Sequence, residues 1–387
     1  MKKQIVRINF IYILSFLGDA LFSPFLALYF SSINIEETKK GILLSLIPLA
    51  GIFGSLIYGK LSGNSKRNVL IIRVLVLMQL IVMMSIGFVK NYIAVLIFTI
   101  IFAMHNNTFF SFQDGVAVKI SNQENTIYAN TRFFGSLGYL IGTFVGGKLI
   151  DLTNYGIVFL IAGLIYVIVE LMFFFIYPEE EEVTKEKITI KEIFIHREFI
   201  LYLLFYVFVL GTWNIGESYI SLMFKNYGIS TSQWGYIFSL EILVEMIVIF
   251  TLNHFIKRKM NYRIILFIAI SLVFARSFVL FLDINIWVKA FLSAILRGLY
   301  WGLFLSSHME NLKKILPNRL ITKAVLILAI CCNLFAFVGD FAAPYIYQNT
   351  SFEIMYLILS IGQLLGMGIL IFATIYYHKH QKIKEID

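Results

Sequence analysis

Twelve apolar stretches, each long enough to cross a bilayer, follow one another through this chain. They fall near residues 8–32, 40–61, 68–89, 91–118, 126–150, 155–177, 198–224, 232–256, 262–283, 286–309, 321–346 and 353–377. A helix rises ~1.5 Å per residue, so about 20 apolar residues span the hydrocarbon core. Inside that core a helix satisfies all of its own backbone N–H and C=O groups. The pattern therefore predicts an all-α integral membrane protein. Composition agrees: 59% of the 387 residues are hydrophobic and 14% are charged, against about a quarter charged in soluble domains.

An even number of spans puts both termini on one side. The basic residues say which. With the N-terminus inside, the cytoplasmic segments and adjoining helix ends hold most of the 32 lysines and arginines, among them Lys2, Lys3, Arg7, Lys66, Arg67, Lys257, Arg258, Lys259, Arg263, Lys313, Lys314, Lys379 and Lys382. The outer loops hold only Lys39, Lys40, Lys90, Lys148, Lys225 and Lys289. Such a bias marks the cytoplasmic side, and it accounts for the net charge of +9 without nucleic acid. The opening Met1-Lys-Lys followed by an apolar run imitates a signal peptide, but no small-residue cleavage site follows, so it is expected to stay as the first span.

The most polar stretch, 178–197, contains Glu179-Glu-Glu-Glu182 and several lysines. It reads as a cytoplasmic linker with a short amphipathic helix, its acids a solvated surface. It divides the chain into an N-terminal bundle, 1–177, and a C-terminal bundle, 198–387. The halves echo one another. Gly18-Asp19 and Ser23 match Gly216-Glu217 and Ser221; Gly41 and Ser45-Leu46 match Gly235 and Ser239-Leu240; Phe144-Val-Gly-Gly147 matches Phe337-Val-Gly-Asp340. The offset stays between 193 and 198, which argues for duplication. Two parallel six-helix repeats around a central site are a transporter plan.

Between Asp114 and Gly146 the sequence carries an acid, a polar turn at Ser121–Asn125, then Arg132-Phe-Phe-Gly-Ser-Leu-Gly-Tyr139 with Gly138, Gly142 and Gly146 four apart. A turn centred near Gln123 would bring Asp114 and Arg132 to the same depth in an antiparallel helix pair. Ionised groups inside apolar helices are costly and are usually paired or functional. One reading is a bridge that locks spans four and five. The other is a solute site, favoured because a buried pair stabilises poorly for its desolvation cost while a guanidinium suits hydroxyls and carboxylates. The glycines form one smooth face for close helix packing.

These features resemble the major facilitator superfamily over essentially the whole chain. The loop Gly59-Lys-Leu61-Ser-Gly63-Asn-Ser-Lys66-Arg67 is similar to its glycine- and basic-rich loop, with Gly63 where the family usually has aspartate, so the gating ion pair that aspartate supports is in question. Asp114, Tyr128-Ala129 and Arg132 to Tyr139 look like the branch that holds lactose permease, nucleoside–proton symporters and phenylpropionate-type permeases. The resemblance implies a solute held by Asp114, Arg132 and Tyr139. Glu241, Glu245 and Arg276 fall where the branch keeps a glutamate and an arginine. Arg297-Gly298 and Tyr300 stand at its histidine–glutamate proton site, so any coupling proton must use other acids.

The other buried polar residues are weighed one by one. Asp19 and Glu217, equivalent positions near mid-span, are candidate solute contacts or proton carriers, or else structural polar contacts. Glu241 and Glu245, four apart on one helix face, are expected to cluster with Arg276 and Arg297 and to couple protons, with Asp340 as a further candidate; a static charge network is the alternative. Asn107 and Trp213 offer hydrogen bonds and a stacking face to the solute. His105 reads as a satisfied core histidine, and His308 and Glu310 as solvated surface. Cys331 and Cys332 read as small core residues. No zincin, nucleophile-elbow or Walker A motif is present, so neither an enzyme nor direct ATP drive is indicated, and no metal or cofactor is expected.

The expectation is a monomeric secondary transporter of the bacterial inner membrane, both termini cytoplasmic, whose partners are a small-molecule solute, protons and the lipid bilayer. It would take up a small polar solute (sugar, nucleoside or aromatic acid) with protons. Alternatives are a proton-driven exporter of drugs or metabolites, and a non-transporting membrane sensor or partner-binding protein. Spans ten and eleven carry no counterpart of Asp114 and Arg132, so binding and coupling are expected mainly in different halves.

Overall fold

A computed structural model describes residues 3–126, 128–178, 190–251 and 262–384. Among them are twelve helical spans long and apolar enough to cross a membrane, and no strand. Each predicted span has a counterpart, displaced by a few residues at its ends. The run Glu179–Glu182 and residues Lys257, Arg258 and Lys259 lie outside the described residues.

The chain forms two compact units. The first comprises Met1–Lys185 with Ser221–Ile242; the second comprises Glu186–Ile220 with Leu243–Asp387. The linker at 178–197 was expected to separate the halves cleanly. By contact, Ser221–Ile242 groups instead with the first six spans.

In the first unit, α1 (Lys3–Ala20), a 3₁₀ turn at Ser23–Phe25 and α2 (Leu26–Ser32) make one interrupted span. Pro24 lacks an N–H and so breaks the α pattern there. Then come α3 (Glu37–Leu61), α4 (Ser65–Ile86), α5 (Tyr92–Gln123), α6 (Tyr128–Leu152) and α7 (Tyr155–Phe173). Asparagines start three of them. Asn64, Asn91 and Asn154 accept from backbone N–H groups of α4, α5 and α7 at 3.0 to 3.2 Å, satisfying donors that the first turn leaves open.

The glycine face of α6 packs on α1. A β-carbon on Gly138 would lie 2.3 Å from the Ile13 carbonyl oxygen, and one on Gly142 2.6 Å from Ala20 Cβ. Gly147 faces the start of α11 (Thr231–Thr251), where its β-carbon would meet the Thr231 carbonyl at 2.5 Å. Gly235 returns the close approach against the Thr143 carbonyl, also 2.5 Å. Thr143 and Ser239 hydroxyls bond at 2.8 Å, and Asp151 accepts from the Ser232 backbone N–H at 2.9 Å. These small residues let backbones touch, which explains why the first part of α11 belongs to this unit.

The second unit begins with α8 (Ile190–Phe194), α9 (Arg197–Tyr206), a π-helical turn at Val207–Gly211 and α10 (Thr212–Asn226). It continues through the rest of α11 to α12 (Tyr262–Phe281), α13 (Ile286–Ile315), α14 (Asn318–Asn349) and α15 (Phe352–Lys384). The described part of the linker includes the five-residue helix α8, whose Ile193 is fully buried in the core with Phe199, Phe205, Leu266 and Leu312.

Candidate functional site

Asp114 on α5 and Arg132 on α6 come near one another. Their nearest side-chain atoms, Arg132 Nη1 and Asp114 Oδ1, stand 4.0 Å apart, with 42% and 39% of the two side chains exposed. This is the outer limit of an ion pair. The closer partner of the acid is Tyr12 of α1, whose hydroxyl donates to Asp114 Oδ1 at 2.6 Å. The guanidinium carbon of Arg132 lies 4.6 Å over the Phe16 ring, a cation–π distance. Tyr139 meets Phe16 edge-on at 6.4 Å and Phe238 at 5.9 Å. Gly135 makes room for this arrangement, because a β-carbon there would sit 3.0 Å from the Phe16 ring. An acid, a base and an aromatic floor therefore share one partly open face. Sequence reasoning missed Tyr12 and Phe16. Their spacing of four, an i, i+4 aromatic pair facing the glycines of α6, was the available signal.

The other candidates in this unit behave differently. Asp19 is buried; it accepts from Ser23 Oγ at 2.6 Å within its own span and lies against the Asn106 side chain. Asn107 is exposed on α5, beside Gly51 of α3. His105 is buried, bonded to the Tyr58 hydroxyl at 3.0 Å and to the Ile101 carbonyl. Glu241 is fully buried and falls in the part of α11 that groups with this unit.

In the second unit the charges form closed pairs. Arg276 on α12 bonds Glu217 of α10 through Nη1, and its Nε donates to Ser293 Oγ of α13 at 2.9 Å; the Arg276 side chain is 4% exposed. Arg297 on α13 bonds Glu245 of α11 at 2.7 Å, both buried. Of the four residues expected to cluster, Glu245 and Arg297 pair, and Arg276 engages Glu217 as well. Glu217 and Asp19, equivalent in sequence, have different partners. Trp213 stacks on Trp301 at 4.9 Å and 16°, and Arg297 lies 5.9 Å from the Trp301 ring. Trp213 Nε1 and the fully buried Tyr300 hydroxyl have no hydrogen-bond partner among the described residues.

Asp340 on α14 is 1% exposed. It accepts from Ser218 Oγ at 3.3 Å on one oxygen, while the other has no hydrogen-bond partner among the described residues. His308, expected at a solvated surface, is buried instead. Its Nδ1 bonds the Tyr202 hydroxyl at 2.7 Å and its ring stacks on Phe304 at 5.1 Å. The polar end of α13 had suggested solvent, but α9 folds over this face. Among the described residues no group of three or more His, Cys, Asp or Glu could hold a metal ion.

The model of the MFS_1 like family matches residues 5–358. The chain belongs to that family. An uncharacterized transporter of Bacillus subtilis (strain 168), YwbF, is 22% identical over 99% of this chain and 96% of its own length. A crystal structure of the nucleoside transporter NupG superposes with a TM-score of 0.81 at 14% identity, covering 96% of this chain and all of that one. A D-xylose–proton symporter superposes at 0.71 with 13% identity, covering 95% and 97%. The fold is that of the major facilitator transporters, and the protein is a multi-pass membrane transporter rather than an enzyme.

Proposed function

We propose that this member of the MFS_1 like family carries a small polar organic solute (a sugar, nucleoside or aromatic acid) into the cell together with protons, by alternating access. The observation that carries this reading is a contrast between charge pairs. Glu245–Arg297 is buried, and in Glu217–Arg276 the arginine is buried and the acid a fifth exposed; both pairs are closed. Asp114 and Arg132 stand 4.0 Å apart, about two-fifths exposed, over an aromatic ring. A pair held apart and accessible can bind hydroxyls or a carboxylate without first breaking a buried ion pair. Asp114 and Arg132 orient the solute, and Tyr139 and Phe16 give it an apolar wall. The exposed amide of Asn107 is a further polar contact available to a solute.

Proton coupling falls to the buried carboxyls. Glu217 and Glu245 each face an arginine, and Asp340 accepts from the Ser218 hydroxyl. A carboxyl that alternates between a cation and an apolar surrounding alternates between releasing and holding a proton. Both neighbours in fold named above are transporters of solutes in these classes, one a proton symporter by its name, and the distribution of lysine and arginine supports cytoplasmic termini in a bacterial inner membrane. The protein works as a monomer in this reading.

Uptake of labelled solutes into proteoliposomes, with and without a pH gradient, tests it. Saturable uptake should rise with an inward proton gradient and vanish in Arg132→Ala. In Asp340→Asn or a Glu241→Gln, Glu245→Gln double variant, the gradient should no longer drive accumulation. Uptake that survives Arg132→Ala ends the assignment of the binding pair; uphill uptake unchanged in both coupling variants ends the proton proposal.

A further inference from the structure

Asp19 stands near the middle of the first span, Gln4–Ser32, and is 6% exposed. Unlike Glu217 and Glu245 it faces no arginine. Among the described residues its partners are neutral: the Ser23 hydroxyl at 2.6 Å and the Asn106 side chain. Buried carboxylates are paired with a cation, coordinate a metal ion or give up their charge.

Oxygen atoms surround this acid. Ser23 follows Asp19 at i+4, on the same side of the chain. Pro24, next to it, has no N–H for the Ala20 carbonyl, so the span breaks here. Asn106 of α5 donates its amide to Asp19, and its Oδ1 is buried without a hydrogen-bond partner. Tyr166 of α7 lays its ring against α1 at Gly18, where a β-carbon would stand 2.8 Å from it. The Tyr166 side chain is fully buried; its hydroxyl has no hydrogen-bond partner and feels the Asp19 charge. Two buried oxygens without partners thus flank a carboxylate without a cation.

We propose that Asp19, Ser23, Asn106 and Tyr166 bind a sodium ion between α1, α5 and α7. Carboxylate, carbonyl and hydroxyl oxygens suit a hard cation. The donor set carries one negative charge, so a monovalent ion neutralises it, whereas a divalent one would leave net charge inside the membrane. The close packing of the Tyr166 ring on Gly18 favours sodium over the larger potassium ion. A helix break beside the coordinating groups is a recurrent feature of sodium sites in transporters. Phe16, one turn before Asp19, lies under Arg132, and Tyr139 is in electrostatic reach of Tyr166. Sodium held here steadies the turn of α1 that floors the solute face. That last link rests on the solute reading; the ion site does not.

The test is equilibrium binding of radioactive sodium to the purified full chain in detergent, at mildly alkaline pH, with ionic strength held by choline chloride and no solute present. Binding should saturate at a single site. Potassium should need at least about tenfold more than unlabelled sodium to displace it. Asp19→Asn, which removes the only charge of the donor set, should abolish binding. Tyr166→Phe, which keeps the ring on Gly18 and removes one oxygen, should weaken it about tenfold. The proposal is overturned by an absence of saturable binding, by potassium displacing as readily as sodium, or by binding unchanged in either variant. The measurement on the unaltered chain requires no variant to fold, and Tyr166→Phe decides the assignment should Asp19→Asn not fold. Because no solute is present, failure here leaves the Asp114–Arg132 reading to its own uptake test.

Discussion

Replacing Gly138 by alanine should loosen the α1–α6 contact by a calculable amount. The added β-carbon would stand 2.3 Å from the Ile13 carbonyl oxygen, 3.0 Å from its carbon and 3.1 Å from its Cα. Ordinary contact begins near 3.4 Å, so the two backbones must part locally by about 1 Å. No flexible side-chain end can give way, since all three atoms are main chain. Gly135 and Gly142 lie on the same face and rest on the same helix, so the parting opens their contacts too. A gap of ~1 Å forfeits up to half of each dispersion well of 0.1–0.2 kcal/mol. Over roughly 25 atom pairs this comes to about 2 kcal/mol, within the 1–3 kcal/mol typical of overpacking. Gly368 of α15 is the control, because nothing lies within 4 Å of its notional β-carbon, and alanine there should be neutral or slightly stabilising. Thermal unfolding of the purified proteins in detergent measures both. If Gly138→Ala melts with Gly368→Ala and the unaltered chain, the glycine face is not what sets the α1–α6 distance.

Three further outcomes follow from the charged groups. Arg276→Gln and Glu217→Gln should each cost about 1–3 kcal/mol, since the Arg276 guanidinium is buried while Glu217 keeps a fifth of its side chain exposed, whereas the double variant should cost less than the two singles together; a double-mutant cycle on melting temperature reads this. Asp114→Asn should change stability by no more than ~1 kcal/mol, because its ion pair is long and partly exposed, yet it should abolish saturable uptake, so melting and transport should separate. Asp151→Ala should speed hydrogen exchange at the Ser232 amide, because that N–H loses its carboxylate acceptor at the start of α11.

Some of this was readable without coordinates. The twelve spans followed from local hydropathy, because a helix in lipid satisfies its own backbone and needs no partner to exist. The meeting of Asp114 with Arg132 followed from equal distance along two adjacent antiparallel helices. What failed to follow were contacts between helices far apart in sequence. The Glu217 partner of Arg276 was not foreseen, and His308 was expected in solvent but lies under Tyr202. Helical periodicity says which residues share a face; it does not say which face a distant helix presents to it.

By itself, then, the sequence determined the number and approximate lengths of the spans and the family, and it named the acid, base and aromatic of the candidate solute site. The tertiary structure decided which charges are closed and which stay open. A buried charge takes whichever opposite charge the packing brings within about 3 Å, and that packing is set by close approaches such as Gly138 on Ile13 and Gly147 on Thr231. Small residues permit such contacts at many positions, and only the assembled helices select among them.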